Sequence, residues 1–561
     1  MTKRVHQDYF KRETAEVSQF VADLKDNSAP SGVFDSAAAE DFITESASRG
    51  DSKMPEKLAT VLDEVGGEGK IKVTRAILDG ISAFEGQHGT EPSADVIEQA
   101  IHSAYATTDD ARRRFHLDSA SSDHHDQISL QPNRAVIAIL SAIGEAIPFA
   151  HYLPADIGSN EAILAIMTHD AGSTHGAYAE GAIMDGTHSG DSYISSSRVH
   201  KCTIAVDGEG EPTGAITGKL TTVQDSDETC APASPGVKLL RGRSIVYVNG
   251  LVVGKEVDSS GTGNSTVSGT TVIEGTTYLI GGSINTDTGA IALTSTPALP
   301  VSVPVHVEGF IDYERDPSVT PRIISSVKTF RLNAKPWRVI TQQTIDSRTQ
   351  MANELGLDPY SESVIAIQAQ FGNERHYETL LKAKRLAQNN QVDFDFDWDG
   401  QKQEKTLAQI WGDFASILAV VSQQMAIDTM NHGITHIYVG KNIAAQFMSL
   451  PRELFVPSGV VERPGIFRVG TLFGRYEVYY TPKVVVEGDT TAQILCIGRA
   501  TDVTRNPFVL GDAVPPTVVP LAVNQDLKTG AGFYARNFTS VNPHGPSARG
   551  AAMINVKNLR H

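Results

Sequence analysis

The stretch DFDFDWDG, residues 393–400, carries the residue types of a cation site. Asp395, Asp397 and Asp399, followed by Gly400, match the opening half of a calcium-binding loop, in which carboxylates curl around the ion and a glycine makes the sharp turn. A complete loop of this kind ends on a bidentate glutamate at its twelfth position, and that position is Thr406. The same letters also alternate, with Val392, Phe394, Phe396 and Trp398 on one side and the aspartates on the other. That is the period of a half-buried strand. The spacing predicts a strand closed by a hairpin turn at Asp399-Gly400, and no metal.

A second set of candidate ligands lies in the Gly- and Ser-rich stretch HDAGSTHGAYAEGAIMDGTHSGDSY: His169, His175 and His188, with Asp170 and Asp185. Imidazole and carboxylate suit a transition metal, but the irregular spacing argues against a bound ion. His200 beside Cys202 is a weaker pair, and Asp123-His124-His125-Asp126 reads as a solvated loop. The chain has no G-x-S-x-G elbow, no H-E-x-x-H and no C-x-x-C pair. GAITGKL, residues 214–220, has the wrong spacing for a phosphate loop and lacks the hydroxyl after Lys219. No catalytic, cofactor-binding or metal-ligating residue is assigned, no cofactor is expected, and the chain is read as a non-enzyme.

The bulk numbers narrow the classes further. At 561 residues the chain is too long for one core, so two to four domains are expected. Forty-eight basic and 66 acidic residues give a net charge of −18, which argues against a general nucleic-acid binder. Cys202, Cys230 and Cys496 are too few for a disulfide scaffold and fit buried thiols in a reducing compartment. The N-terminus has no apolar stretch of signal-peptide type. The apolar run 135–150 is interrupted by Ser141, Glu145 and Pro148, so neither secretion nor membrane insertion is expected.

The elements that would position any such residues follow from periodicity. Residues 1–130 read as helical, polar and low in apolar density, and so as lying along other parts of the chain or other subunits; Arg112-Arg113-Arg114 reads as a solvated helix face. Residues 203–308 are rich in Thr, Ser, Val and Gly, with turn signals at Val248-Asn249-Gly250 and Asp287-Thr288-Gly289. They predict an inserted all-β module over 207–303. Strand follows at 324–345. A helix is expected over 359–388, capped by Asp358 and opened by Pro359, with a thin stripe of Val364, Ile367, Phe371 and Leu381. A second helix over about 406–430 has a wide stripe from Leu407 to Met425, fit for a core. The main body is α+β.

The order of features from about residue 135 resembles the major capsid proteins of tailed bacteriophages, with the Hong Kong 97-like fold. AIPFAHYLPADIGSNEAILAI is similar to the family's passage from N-terminal arm to extended loop. YERDPSVTPRIISSVKTFRLNAKPWRVITQQTIDSRTQMANELGLDPYSESVIAIQAQFGNERHYETLL resembles the strand, turn and spine helix of the peripheral domain. ITHIYVGKNIAAQFMSLP, FGRYEVYYTPK and NPFVLGDAVPPTVVPL resemble the axial domain and its return, and FYARNFTSVNPHGPSARGAAMINV the closing strands.

The resemblance implies an α+β fold of N-terminal arm, extended loop, peripheral domain with a long spine helix, and axial domain. The corresponding division is 1–134 (helical arm), 135–206 (arm and extended loop), 207–303 (β module), 304–390 (peripheral, spine 359–388), 391–520 (axial) and 521–561 (return to the peripheral domain). It implies a virion shell protein that assembles with itself into pentamers and hexamers of an icosahedral head. Scaffold, portal, decoration proteins and a prohead protease are its implied partners. It would be assembled in the host bacterial cytoplasm, enclose DNA without specific binding, and use no membrane. Ile43-Thr44-Glu45 and Leu62-Asp63-Glu64 fit the protease's pattern equally. A tail-tube or sheath protein, or a metal-dependent enzyme built on the 169–191 histidines or the 393–399 aspartates, are the alternatives.

Overall fold

The computed structural model describes residues 4–29, 34–48, 54–108, 127–225, 227–231, 233–257, 263–355, 359–521 and 528–559. The chain divides into two compact units, Met1–Ile166 with Thr329–His561, and Met167–Lys328. Arg112-Arg113-Arg114, the 123–126 loop and the Asp358 cap lie outside the described residues.

The first unit begins with helices α1 (Arg4–Ser28), α2 (Ser36–Ser48), α3 (Glu56–Val65), α4 (Gly67–His88), α5 (Ala94–Tyr105) and α6 (Gln127–Gly144). Most bury one apolar stripe, as in Val17, Phe20, Val21 and Leu24 of α1, or Val73, Ile77, Ile81 and Phe84 of α4, whereas α5 is buried on all sides from Asp95 to Ala104. These stripes are buried in one core with Phe149, Leu380, Tyr438, Leu495 and Phe508 of the same unit. The low apolar density thus reflects narrow stripes buried against the chain's own body. The expected boundary at 134 falls inside α6. Strand β1 (His151–Tyr152) follows, and then β2 (Glu161–Ala171) leads into the second unit.

The second unit contains β3 (Ser197–Lys201), β4 (Thr203–Val206), β5 (Pro212–Lys219), β6 (Ile245–Val248), β7 (Leu251–Glu256), β8 (Asn264–Ile273), β9 (Thr276–Asn285), β10 (Ala290–Thr296) and β11 (Val305–Phe310). Their order is β3-β11-β6-β7-β8-β9-β10-β5-β4, antiparallel throughout. β3 and β4 are one stretch broken only at Cys202, bonded to β11 on one side and to β5 on the other. The sheet therefore returns to its own first strand and closes as a barrel, which removes the edges of an open sheet. Its interior is filled by Ile216, Val246, Val267, Ile284, Leu293 and Val307 among others. Asn249 and Gly250 both take positive φ (51° and 77°) in the β6–β7 hairpin, as a type I′ turn requires. Because β3, β4 and β11 complete the barrel, the module is wider than the expected 207–303. It spans the whole of Met167–Lys328.

Strand β12 (Ile323–Asn333) pairs with β2 and leads back to the first unit. There follow β13 (Lys335–Thr344), α7 (Ile345–Gln350) and the long helix α8 (Pro359–Leu386). The order continues with β14 (Gln391–Asp395), α9 (Trp398–Gln401), α10 (Leu407–Thr429), β15 (Ile434–Val439), α11 (Lys441–Met448), β16 (Phe455–Pro457), β17 (Phe467–Leu472), β18 (Tyr476–Tyr480), β19 (Ala492–Gly498), β20 (Phe508–Leu521), β21 (Lys528–Val541) and β22 (Ala551–Lys557).

A four-stranded sheet, β1-β20-β21-β13, packs one face on α8, where Phe371 meets Trp337 and Phe533 at ring distances of 5.2 and 5.3 Å. The stripe of α8 differs from the expected one in its second half: Leu380 and Ala383 are buried and Leu381 is 46% exposed.

A seven-stranded sheet, β14-β22-β19-β15-β18-β17-β16, shares a core with α10. Thr406 and Gln409 form a capping box at the start of α10. The helix is long and apolar enough to cross a membrane by length and composition, but Ile410, Trp411, Phe414, Leu418, Val421 and Met425 are buried as a core stripe. The expected boundary at 520 does not match these layers. β20 belongs to the sheet on α8, and β22 lies between β14 and β19. Strands distant in sequence pair here because burial on both faces, and not chain proximity, selects neighbours.

Candidate assembly surface

The aspartates of 393–399 do not converge. β14 ends at Asp395, and Asp397 takes a left-handed φ of 39° while its carboxylate accepts the Gly400 N–H. The Asp399-Gly400 step thus lies in the helical turn α9 and not in a hairpin, which corrects the expected strand beyond Asp395. The alternation survives as burial of Phe394 and Phe396 against Trp411. Each carboxylate has its own partner. Lys557 lies 2.5 Å from Asp393, Asn558 donates to Asp395 at 2.9 Å, and Lys402 lies 2.7 Å from Asp399. Asp393 is held below the ordinary carboxylate range by its bond to Lys557.

The histidines of the second unit are likewise scattered. His169 Nδ1 meets Asp185 at 3.1 Å, and His188 Nδ1 lies 3.6 Å from Asp191. His175 is buried against Tyr313 instead, and burial pushes it down to about 4. His200 Nδ1 accepts the Cys230 N–H at 3.0 Å, and burial pushes the Cys202 thiol up to about 12, where it is not nucleophilic. Lys219 ends strand β5 and donates to the Ser234 carbonyl. Among the described residues no three His, Cys, Asp or Glu side chains are placed to hold a metal ion. Ile43-Thr44-Glu45 and Leu62-Asp63-Glu64 sit in α2 and α3, with Ile43 and Leu62 buried.

The first unit also holds buried polar pairs. Arg375 of α8 and Asp512 of β20 pair at 2.9 Å, each 5% exposed, and Arg375 also lies over the Tyr152 ring. Burial pushes Glu145, beside this pair, up to about 7. Asp95 of α5 accepts from the Tyr152 N–H at 2.7 Å and meets His151 Nδ1 at 3.0 Å. Burial alone would raise Asp95, but His151, with Arg499 and Ser93, more than offsets it and holds the carboxyl down at about 2. Asp95 thus ties α5 to β1 of the four-stranded sheet, and Arg375 ties α8 to β20 of the same sheet. Periodicity missed them; the one signal was a lone aspartate in the apolar run NPFVLGDAV.

Some apolar side chains of strand and helix are exposed. β13 is the edge of the four-stranded sheet and shows Val339 and Ile340 at 43% and 64% exposure. On α8, Tyr377 and Leu381 line an open groove of about 480 Å³ with Pro464 and Val484. Ile365 and Val420 are also exposed. Such surface suits covering by another protein better than catalysis.

No protein-family model matches the sequence, and no curated protein matches it. Solved structures similar to it include the capsid of the jumbo bacteriophage PhiKZ, at 9% identity over 73% of this chain and 91% of that one, with a TM-score of 0.35. The capsid of Myoviridae phage XM1 is similar at 11% identity over 44% of this chain and 80% of that one, with a TM-score of 0.27. The SrpI encapsulin complex of Synechococcus elongatus PCC 7942 is similar at 13% identity over 43% and 79%, with a TM-score of 0.26. These likenesses are to bacteriophage capsid structures, with an encapsulin among them.

Proposed function

We propose that the chain is a virion shell protein, the major capsid protein of a tailed bacteriophage, with the Hong Kong 97-like arrangement of arm, extended loop, peripheral and axial domains. It would form pentamers and hexamers of an icosahedral head that encloses DNA. In this reading β2 and β12 are the base of the extended loop, α8 is the spine, and the seven-stranded layer is the axial domain. The barrel unit is an insert that braces the loop, touches neighbouring subunits and projects from the outer surface, since DNA fills the interior.

The observation that carries the proposal is the edge of the four-stranded sheet. β13 runs ten residues with Val339 and Ile340 exposed and no strand on its outer side among the described residues. A long edge with exposed aliphatic side chains is a hazard for a monomer and an asset for a subunit that a neighbour covers.

Negative-stain imaging and sedimentation of the purified full chain test this. Capsomers or closed shells are expected. A monodisperse monomer at high concentration, under every salt and scaffold condition tried, overturns it.

A further inference from the structure

The outward face of β13 and β21 differs in charge from the rest of the molecule. Arg338 pairs in register with Tyr534, and Pro336 with Arg536, so alternate residues of both strands lie on the side away from α8. The opposite side holds Trp337, Phe533 and Ala535 against Phe371. The outward side carries Arg338, Arg536 and Lys528, the last opposite Thr344, and residues 335–344 and 528–541 contain no acid, in a chain of net charge −18. Arg338 and Arg536 both lie against the Tyr534 ring, at 5.5 and 6.0 Å. A guanidinium held on an aromatic face is ordered before it meets a partner, so less entropy is lost on docking.

We propose that this face docks onto the acidic surface of a second copy of this chain, an assignment that rests on the shell reading above. Charge complementarity selects the partner: a copy with a net charge of −18 offers acidic surface to a face without acids. Ile340, 64% exposed beside Arg338, separates a protein partner from a nucleic acid. An aliphatic side chain among arginines gains from burial in a protein interface and gains nothing from a phosphate backbone. The contact is salt-sensitive, because screening shortens to about 3 Å at 1 M ionic strength.

The test compares wild type, R338E/R536E and R338K/R536K as full chains. Sedimentation at low and high salt reads association, and thermal melting reads the fold. At low salt R338E/R536E should associate at least tenfold more weakly than wild type with an unchanged melt, R338K/R536K should recover most of the loss, and high salt should bring wild type toward the Glu variant. A carbodiimide cross-link on mixed nitrogen-14 and nitrogen-15 wild type needs no variant to fold. Lys528, in register with Thr344 on the same side as Arg338, should be joined to an Asp or Glu of the other isotope. Wild-type association matched by R338E/R536E, or Lys528 links within one isotope only, overturns this docking and leaves the shell reading standing. A short DNA duplex that binds wild type but not R338E/R536E, while that variant assembles normally, reassigns the face to nucleic acid and overturns it. A wild type that never associates overturns both readings.

Discussion

Arg375 of α8 and Asp512 of β20 meet at 2.9 Å in the interior, each only 5% exposed, and so pin the long helix to the longest strand pair of the fold. A buried pair of this kind is expensive to break and cheap to replace. Asp512→Ala should destabilise the chain by roughly 3 to 5 kcal/mol, because it strands the Arg375 charge. The double variant Arg375→Met/Asp512→Leu should recover most of that loss. Urea unfolding of the three proteins checks the order; equal stability of the single and double variants would show that the pair does not act as a unit.

Acid should loosen the first unit. His88, His376 and His436 cluster around Phe149, Tyr438 and Tyr479. Burial, helped by Arg463, Arg468 and Arg499, pushes His88 down to about 4 and His376 and His436 to about 3. All three lie below the ordinary 6.5, so the unfolded chain binds more protons. Their contribution is complete above pH 6.5 and is lost as pH falls through 4 and then 3. For each group, every tenfold difference in proton affinity between the unfolded and folded chain is worth about 1.4 kcal/mol. Glu145 runs the other way: raised from 4.5 to about 7, it costs stability above that window and relieves it on acidification. Three histidines outweigh one glutamate. Urea midpoints measured between pH 8 and 4 should therefore fall, and Glu145→Gln should raise stability at pH 8 and steepen the fall.

Phe371→Pro should abolish both the folded first unit and particle formation. Proline breaks a mid-helix bond at about 3 kcal/mol or more, and here it also removes a ring 3% exposed between Trp337 and Phe533. Phe371→Leu, which keeps the helix, should cost less and still assemble. Particle yield by sedimentation separates the two; normal yield from the proline variant would contradict a continuous α8.

The closed barrel makes a prediction about where to cut. A fragment of residues 207–303 lacks β3, β4 and β11 and so loses the strands that join β5 to β6. It should be unfolded, with poorly dispersed amide resonances. A fragment of residues 167–328 should fold by itself, with β-type circular dichroism and a cooperative melt. If 207–303 folds as well as 167–328, the barrel does not need its closing strands.

The aspartate stretch should not bind calcium tightly. Asp393, Asp395 and Asp399 each face a different Lys or Asn, and Asp397 caps a helical turn. Calorimetric titration of the full chain should give no saturable heat that depends on Asp397. Calcium-dependent melting that vanishes in Asp397→Ala would refute this.

Periodicity alone was enough for the helices with wide stripes and for the hairpins with dedicated turns. Leu407–Thr429 announces itself through Ile410, Trp411, Phe414 and Leu418, and the β6–β7 turn through Asn249-Gly250, because local sequence must satisfy local backbone geometry. The irregular spacing of His169, His175 and His188 likewise argued against a metal. Three things were decided only in three dimensions. Closure of the barrel depends on β3 and β4 bonding to opposite sides of one sheet, and no local pattern encodes that pairing. The place of β22 between β14 and β19, more than 150 residues distant from β14, is chosen by burial on both sheet faces. The pairing of Arg375 with Asp512 joins a helix and a strand 137 positions apart (512 − 375), and its geometry exists only once α8 lies on the sheet. Stripes and turns are local and so legible along the chain; closure, strand order and buried charge pairs are relations between distant segments, and packing alone brings those segments together.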